Sequence, residues 1–184
     1  NTFVNLTETG AGTGINLYFA ASLIEGNTFS NVNYGIKYFW YTPAQPPSGR
    51  IAGNTFDNVG LYAIELFNVT RPLLVDNNTV RHAARGAIEA LFSNVVAAYN
   101  ILSDSAGYGF DLTLSNLTVI GGRLENLSDG IHANLSNVDV RYTTFLLNHV
   151  GMIVQDGWAS VSNSSFQFNG NGAIFATDGQ VDVN

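Results

Sequence analysis

A small residue followed by a bulky apolar one recurs along this chain at intervals near the length of one solenoid coil. The pairs are Gly14-Ile15, Gly35-Ile36, Ala63-Ile64, Ala87-Ile88, Gly109-Phe110, Gly130-Ile131, Met152-Ile153 (with Gly151 just before) and Ala173-Ile174. The bulky members are spaced by 21, 28, 24, 22, 21, 22 and 21 residues. A second apolar column reads Phe3, Phe29, Phe56, Val80, Ile101, Leu124, Phe145, Phe166. After each pair, apolar and polar residues alternate, as in "INLYF", "IELFN", "IEALF" and "FDLTL". Period two places alternate side chains on opposite faces of a strand. The buried face is then Ile15, Leu17, Ile36, Tyr38, Ile64, Leu66, Ile88, Ala90, Phe110, Leu112, Ile131 and Ala133. No segment carries the 3.6-residue period and caps of a helix.

Asparagine keeps phase with these columns. One series is Asn5, Asn31, Asn58, His82 and Asn126, with Asn148 and Asn169 one place later. Another is Asn68, Asn94, Asn116 and Asn137, the last three preceded by Ser93, Ser115 and Ser136. Asparagine tolerates left-handed backbone, and amides stacked at one turn of successive coils can bond to one another. Short strands with Asn or Gly at fixed corners predict an all-β solenoid of about eight coils over residues 1–184, a single domain. At about 4.8 Å per strand spacing such a rod is roughly 38 Å long. The stretch "TPAQPPSG" at 42–49 holds three of the four prolines. Proline lacks the donor a sheet ladder needs, so this stretch is expected to leave the coil as a loop. With "GNTFSNVNYGI" at 26–36 and "GNTFDNVGLYAI" at 53–64, nearly the whole chain resembles the right-handed parallel β-helix of the pectin-lyase-like and NosD-like superfamily. That motif marks a fold, not an activity.

Composition narrows the function. Lys+Arg is 7 against Asp+Glu 14, a formal charge of −7, which disfavours nucleic acid and anionic membrane as partners. The most apolar window, "GAIEALFSNVVAAYNIL", is broken by Glu89, Ser93, Asn94 and Asn100, so no membrane span is expected. Cysteine is absent, which excludes disulfides, thiol catalysis and Cys-ligated metal. Among 22 asparagines, sequons occur at Asn5, Asn68, Asn77, Asn116, Asn126, Asn134 and Asn163. Chance predicts about three. Either Asn, Ser and Thr share the turns of the repeat, or the chain is a glycosylated surface protein. Asn134, on an outward column, is the best-placed acceptor.

The resemblance implies polysaccharide chemistry as one option. The residue after each bulky apolar one points outward and reads Asn16, Lys37, Glu65, Glu89, Asp111, His132, Val154, Phe175. Glu89 and Asp111 are then one strand spacing apart, near the ~5–5.5 Å of a retaining glycosidase pair, with His132 on the next coil to assist. "SDGIH" at 128–132 echoes the "NTDGID" element of polygalacturonases, but that family's aspartate pair, "GHG" and "RIK" have no counterpart here. The plain alternative is a solvated polar ladder. His82, His132 and His149 are scattered, and Asp129-Gly130, Asp156-Gly157 and Asp178-Gly179 read more simply as turns than as calcium ligands, so neither metal nor cofactor is expected. The next outward column starts with an aromatic stripe, Tyr18, Phe39 and Phe67, suited to a partner subunit or to sugar rings.

The two ends complement each other. Joining "VDVN" to "NTFVN" reproduces "LVDNNTVRH" at 74–82, with Val181 over Leu74, Asn184 over Asn77, Asn1 over Asn78, Thr2 over Thr79 and Phe3 over Val80. Either the stretch belongs to a longer solenoid or copies stack head to tail through Asn1, Thr2, Phe3, Val181, Val183 and Asn184. The expectation is a structural subunit of an extracellular filament or surface layer, with itself and glycans as partners. The alternatives are a polysaccharide-processing enzyme and a carbohydrate-binding adhesin.

Overall fold

The computed structural model describes residues 1–7, 12–18, 22–40 and 49–184. Among them, 24 short strands wind into eight coils of three strands each. Corresponding strands stack in parallel, giving three eight-stranded sheets that run the length of a solenoid. The first sheet starts with Thr2–Leu6 and ends with Ser165–Gln167; the second runs from Thr13–Tyr18 to Gly172–Thr177; the third from Leu23–Glu25 to Gln180–Val183. Of the Pro-rich stretch 42–49, only Gly49 falls within the described residues. Among the described residues no helix is long and apolar enough to cross a membrane.

The core is a stack of like on like. Phe3, Phe29 and Phe56 lie ring over ring at 4.8 and 4.7 Å, and Phe145 on Phe166 at 4.3 Å, all nearly coplanar. The small column exists to admit these rings: a Cβ on Gly35 would sit 2.4 Å from a Phe56 ring carbon. Of the twelve positions expected to be buried, all are except Ile15 and Leu17 of the first coil, which are half-buried.

Two columns shift by one residue from the sequence reading. Val80 pairs with Leu102, not Ile101, and Ile101 is 43% exposed. In the seventh coil Met152 takes the isoleucine slot, so Ile153 points outward and Val154 inward. The first shift follows from a third ladder that the periodicity did not reveal. Asn27, Asn54, Asn78 and Asn100 are buried, and each side-chain amide donates to the oxygen of the next, at 3.0, 3.0 and 3.1 Å. Asn1 is the rung before Asn27, at 3.1 Å. In the first four coils Phe3, Phe29, Phe56 and Val80 each lie two places after their rung, and the same offset selects Leu102 after Asn100.

Left-handed residues mark the corners in three columns. One corner carries Asn5, Asn31, Asn58, His82, Asp104, Asn126, Leu147 and Phe168; the second Asn68, Phe92, Leu114, Leu135, Asp156 and Asp178; the third Gly26, Gly53, Asn77, Tyr99, Gly121, Tyr142 and Asn163. Asn148 and Asn169 therefore belong to an inner column beside the first corner, where Asn148 Oδ1 accepts from Leu127 N. Asn68 is a corner residue, whereas Asn94, Asn116 and Asn137 are a strand-face ladder bonded at 2.6 and 2.9 Å. Asp156 and Asp178 are turn residues as expected, but Asp129 and Gly130 open a strand.

Candidate functional site

Two adjacent outward columns of the second sheet make the site. In one, Lys37, Glu65, Glu89, Asp111 and His132 follow each other in register over five coils. In the other, Tyr62, Gly86 and Tyr108 are in register, with Asp129 following at the start of the next strand. The structure thus brings Glu89, Asp111 and His132 together as the alternation predicts.

The side chains interlock along the axis. Tyr62 Oη donates to Asp111 Oδ2 at 2.5 Å, reaching from the third coil to the fifth. It can do so because the intervening residue is Gly86, whose Cβ would stand 2.7 Å from the Tyr62 ring. His132 Nδ1 lies 3.3 Å from the other oxygen, Asp111 Oδ1, and its ring stacks on Tyr108 at 4.8 Å. The Arg85 guanidinium covers the Tyr62 ring at 5.4 Å. Lys37 Nζ pairs with Glu65 Oε2 at 3.0 Å and sits over the Tyr34 ring at 3.9 Å.

This packing separates the two central carboxyls. Burial first, then the charges of Glu65 and Asp111, push Glu89 up to about 7. Burial also raises Asp111, but hydrogen bonds from His132 and Tyr62, with the positive charges of His132 and Arg85, outweigh it and hold Asp111 below its ordinary value. The hydrogen bond to Asp111 raises His132 against the opposing effect of burial. Asp129, only 6% exposed, is raised by burial. Near neutral pH Glu89 can therefore carry a proton while Asp111, one coil away, is ionised. An open groove of about 340 Å³ adjoins Asp111, lined by Ala84, Arg85, Ala106, Gly107, Tyr108, Asp111, Ser128 and His132, with Glu89 one coil back from Asp111 in register. Among the described residues no group of three His, Asp or Glu side chains is arranged to hold a metal ion.

The other predicted residues lie elsewhere. Tyr18, Phe39 and Phe67 form an aromatic row with centroids 5.4 and 6.1 Å apart. The row is exposed at Tyr18 (53%) but closed at Phe39 (9%). His82 meets Asp57 at 2.7 Å on the exposed face of the first sheet, and His149 accepts from Asn171 at 2.8 Å. Five sequon asparagines (Asn5, Asn68, Asn77, Asn126, Asn163) occupy left-handed corners. The amide nitrogens of Asn68, Asn77, Asn116 and Asn126 donate to Trp40 O, Asp76, Asn94 and Asp104, and Asn5 Oδ1 accepts from Asn31. Among the described residues, Asn134 and Asn163 make no side-chain hydrogen bond. At the ends, Thr2 and Phe3 pair with Thr28 and Phe29, Val181 and Val183 with Ala159 and Val161, and Asn184 N donates to Val161 O.

Sequence reasoning missed Tyr62, Gly86, Arg85, Tyr108 and Asp129 as site residues. The available signal was the position three places before the outward carboxylates, which reads Tyr34, Tyr62, Gly86, Tyr108, Asp129 in successive coils.

A family model described as the right-handed beta helix region matches residues 1–123 and again 44–184. No individual curated protein matches significantly.

Proposed function

The chain belongs to the right-handed β-helix family, and on that scaffold we propose that it hydrolyses a glycosidic bond of a polysaccharide at the Glu89–Asp111 pair. One observation carries this reading: two in-register carboxyls, one of which (Asp111) lines an open groove, and whose surroundings push their proton affinities in opposite directions. Glu89 gives its proton to the leaving oxygen as the C–O bond breaks. Asp111 attacks the anomeric carbon from the other side, and the resulting ester is then hydrolysed by water, which returns its proton to Glu89. The strand spacing of about 4.8 Å suits this retaining course rather than one needing room for an inserted water. Tyr62 and His132 fix both oxygens of Asp111 and so orient it.

The test is hydrolysis of a polysaccharide panel by wild type, Asp111→Asn and Glu89→Gln. Each substitution is expected to lower kcat/KM by about 10²–10⁴-fold, with thermal unfolding showing the fold intact. The rate should fall as pH rises through about 7, where Glu89 loses its proton, and fall in acid below the ordinary carboxylate range, where Asp111 gains one. Unchanged activity in both variants rejects the reading.

A second reading is the stacking of copies end to end. It is favoured by the apolar side chains Phe3, Ile15 and Leu17 in the first coil and Phe166, Ile174 and Val181 in the last, which pack on the core yet stay partly open. Static light scattering is expected to show mass rising with concentration, and Val181→Asp to suppress it. A constant monomer mass up to millimolar concentration removes this reading.

A further inference from the structure

The acid pair sits between two unlike surfaces. On one side, where the strands begin, lies the groove, in which Arg85, Asp111, Ser128 and His132 offer donors and acceptors to sugar hydroxyls. On the other side the same strands run out to the corner between the second and third sheets. From the third coil to the eighth, that corner carries Asn68, Phe92, Leu114, Leu135, Asp156 and Asp178. It is polar before and after, and apolar only in the fourth, fifth and sixth coils, the ones that also carry Glu89, Asp111 and His132. Phe92 is 48% exposed, Leu114 48% and Leu135 49%.

The ridge is joined to the pair through Leu91. Glu89 protonates the leaving oxygen, and Leu91 stands two residues further along its strand on the same face, about 6.6 Å away along the chain. Leu91 is half-buried, and Phe92 follows it at the corner, with the Phe67 ring set edge-on at 5.9 Å. From Asp111 the step is polar instead, through Thr113 to Leu114. The leaving group departs on the side of Glu89, which is the side where apolar surface begins nearest to the pair.

The form of the ridge selects its occupant. Phe92, Leu114 and Leu135 stand in a line over two strand spacings, about 9.6 Å, one side chain wide. Three side chains, each about half exposed, fall well short of the ~800 Å² that each side of a stable protein interface covers. An extended hydrocarbon chain covers such a line along its length, whereas a single ring covers one member of it.

Resting on the hydrolytic reading above, we infer that this site takes a glycan carrying an alkyl aglycone, the sugar lying in the groove and the chain along Leu91, Phe92, Leu114 and Leu135; the bond cut is the one between them. Glu89 gives its proton to the aglycone oxygen as the C–O bond breaks, releasing an alcohol. Water supplies the hydroxyl to the anomeric carbon and returns a proton to Glu89.

Binding of methyl, butyl, hexyl and octyl β-glucosides, the matching β-galactosides and phenyl β-glucoside is measured by calorimetry on Asp111→Asn, below micelle concentrations. Cleavage of the same set is measured on wild type. Affinity is expected to rise about twofold per added methylene, the gain from covering one side of the chain. Adding Phe92→Asn and Leu114→Asn, the residue this corner already carries at Asn68, is expected to remove most of that gain with no loss of thermal stability. Tyr142→Asn, at a residue 65% exposed on a different corner, is expected to leave the gain in place. No rise with chain length in either series, or a rise that the Phe92 and Leu114 variants retain, overturns the inference. Phenyl glucoside binding more tightly than octyl glucoside gives the ridge to a ring and overturns it too. A dimer in sedimentation that the same two substitutions abolish gives the ridge to a second copy, with the same consequence. Chain-length-dependent binding that these substitutions remove, without cleavage by wild type, sustains the alkyl subsite and removes the hydrolytic reading. Cleavage at rates indifferent to the alkyl chain and to both substitutions overturns the inference while leaving hydrolysis standing.

Discussion

Asp111 is held below its ordinary value in a half-buried place by His132 on the next coil and by a hydrogen bond that comes from two coils away. Tyr62 reaches it only over Gly86, where a methyl group would stand 2.7 Å from the ring. Period-two alternation was enough to align Glu89, Asp111 and His132, since each is a nearest neighbour of the next in register. It could not reveal Tyr62, because a contact that skips a coil depends on side-chain length and on the absence of a Cβ between. Tyr62→Phe removes a donor to an ionised carboxylate, worth about 1.5–3 kcal/mol, or about one to two pH units in the affinity of Asp111 for a proton. The sign follows directly: losing a bond to the charged form raises Asp111. The acid limb of the pH–rate profile is therefore expected to move upward, with the limb near 7 little changed. Gly86→Val, which keeps the phenol but denies it the path, should shift the same limb. An acid limb at the wild-type position in both variants would show that Tyr62 does not set Asp111.

At the scale of the element, the corner decides register. Apolar periodicity alone chose Ile101 and Ile153 as core because both are bulky and each lies one place from the right position. The buried asparagine rung resolves the first choice: its amide must satisfy backbone groups inside the turn, and the core side chain falls two residues on. Asn78 shows the demand most fully. Its Nδ2 donates to Ile51 O at 2.9 Å and to Asn100 Oδ1 at 3.1 Å, and its Oδ1 accepts from Asn54 N at 2.9 Å and Asn54 Nδ2 at 3.0 Å, in a site with no exposure. Asn78→Ala leaves a buried carbonyl and a buried N–H unpaired, at about 1–3 kcal/mol each. Chemical denaturation is expected to show a loss of about 3–5 kcal/mol, close to that sum. The outer ladder is the control: Asn31 bonds Asn5 and Asn58 on the exposed surface, where water replaces either partner. Asn31→Ala should cost about 1 kcal/mol or less, mostly for its left-handed corner. Equal losses for the two variants would deny the inner ladder its role.

For the whole molecule, strand pairing joins each coil to the coils before and after it, with the Tyr62–Asp111 bond reaching one coil further, so stability behaves mainly as a chain of nearest-neighbour interfaces rather than one indivisible core. The number of coils and their all-β character were legible because the repeat expresses that one-dimensional order directly. The placement of the groove was not, because it depends on how three rings and one glycine pack across several coils. The same one-dimensionality makes the cost of a core deletion depend on where it falls. Phe56 is fully buried, with Phe29 stacked on one side and Val80 in register on the other. Phe56→Ala is expected to cost about 3–5 kcal/mol. Phe3 is half-buried and stacks in its column on Phe29 alone, so Phe3→Ala should cost less than half as much. Hydrogen exchange shows how far each lesion spreads. With Phe56→Ala, amides of the second to fourth coils should lose protection while those of the sixth and seventh, around Leu124 and Phe145, keep it. A uniform loss across all coils would mean that the interfaces are not independent and that the solenoid unfolds as a single unit. In that case the end coils would be as protected as the centre, and the low cost expected for Phe3→Ala would fail in the same measurement.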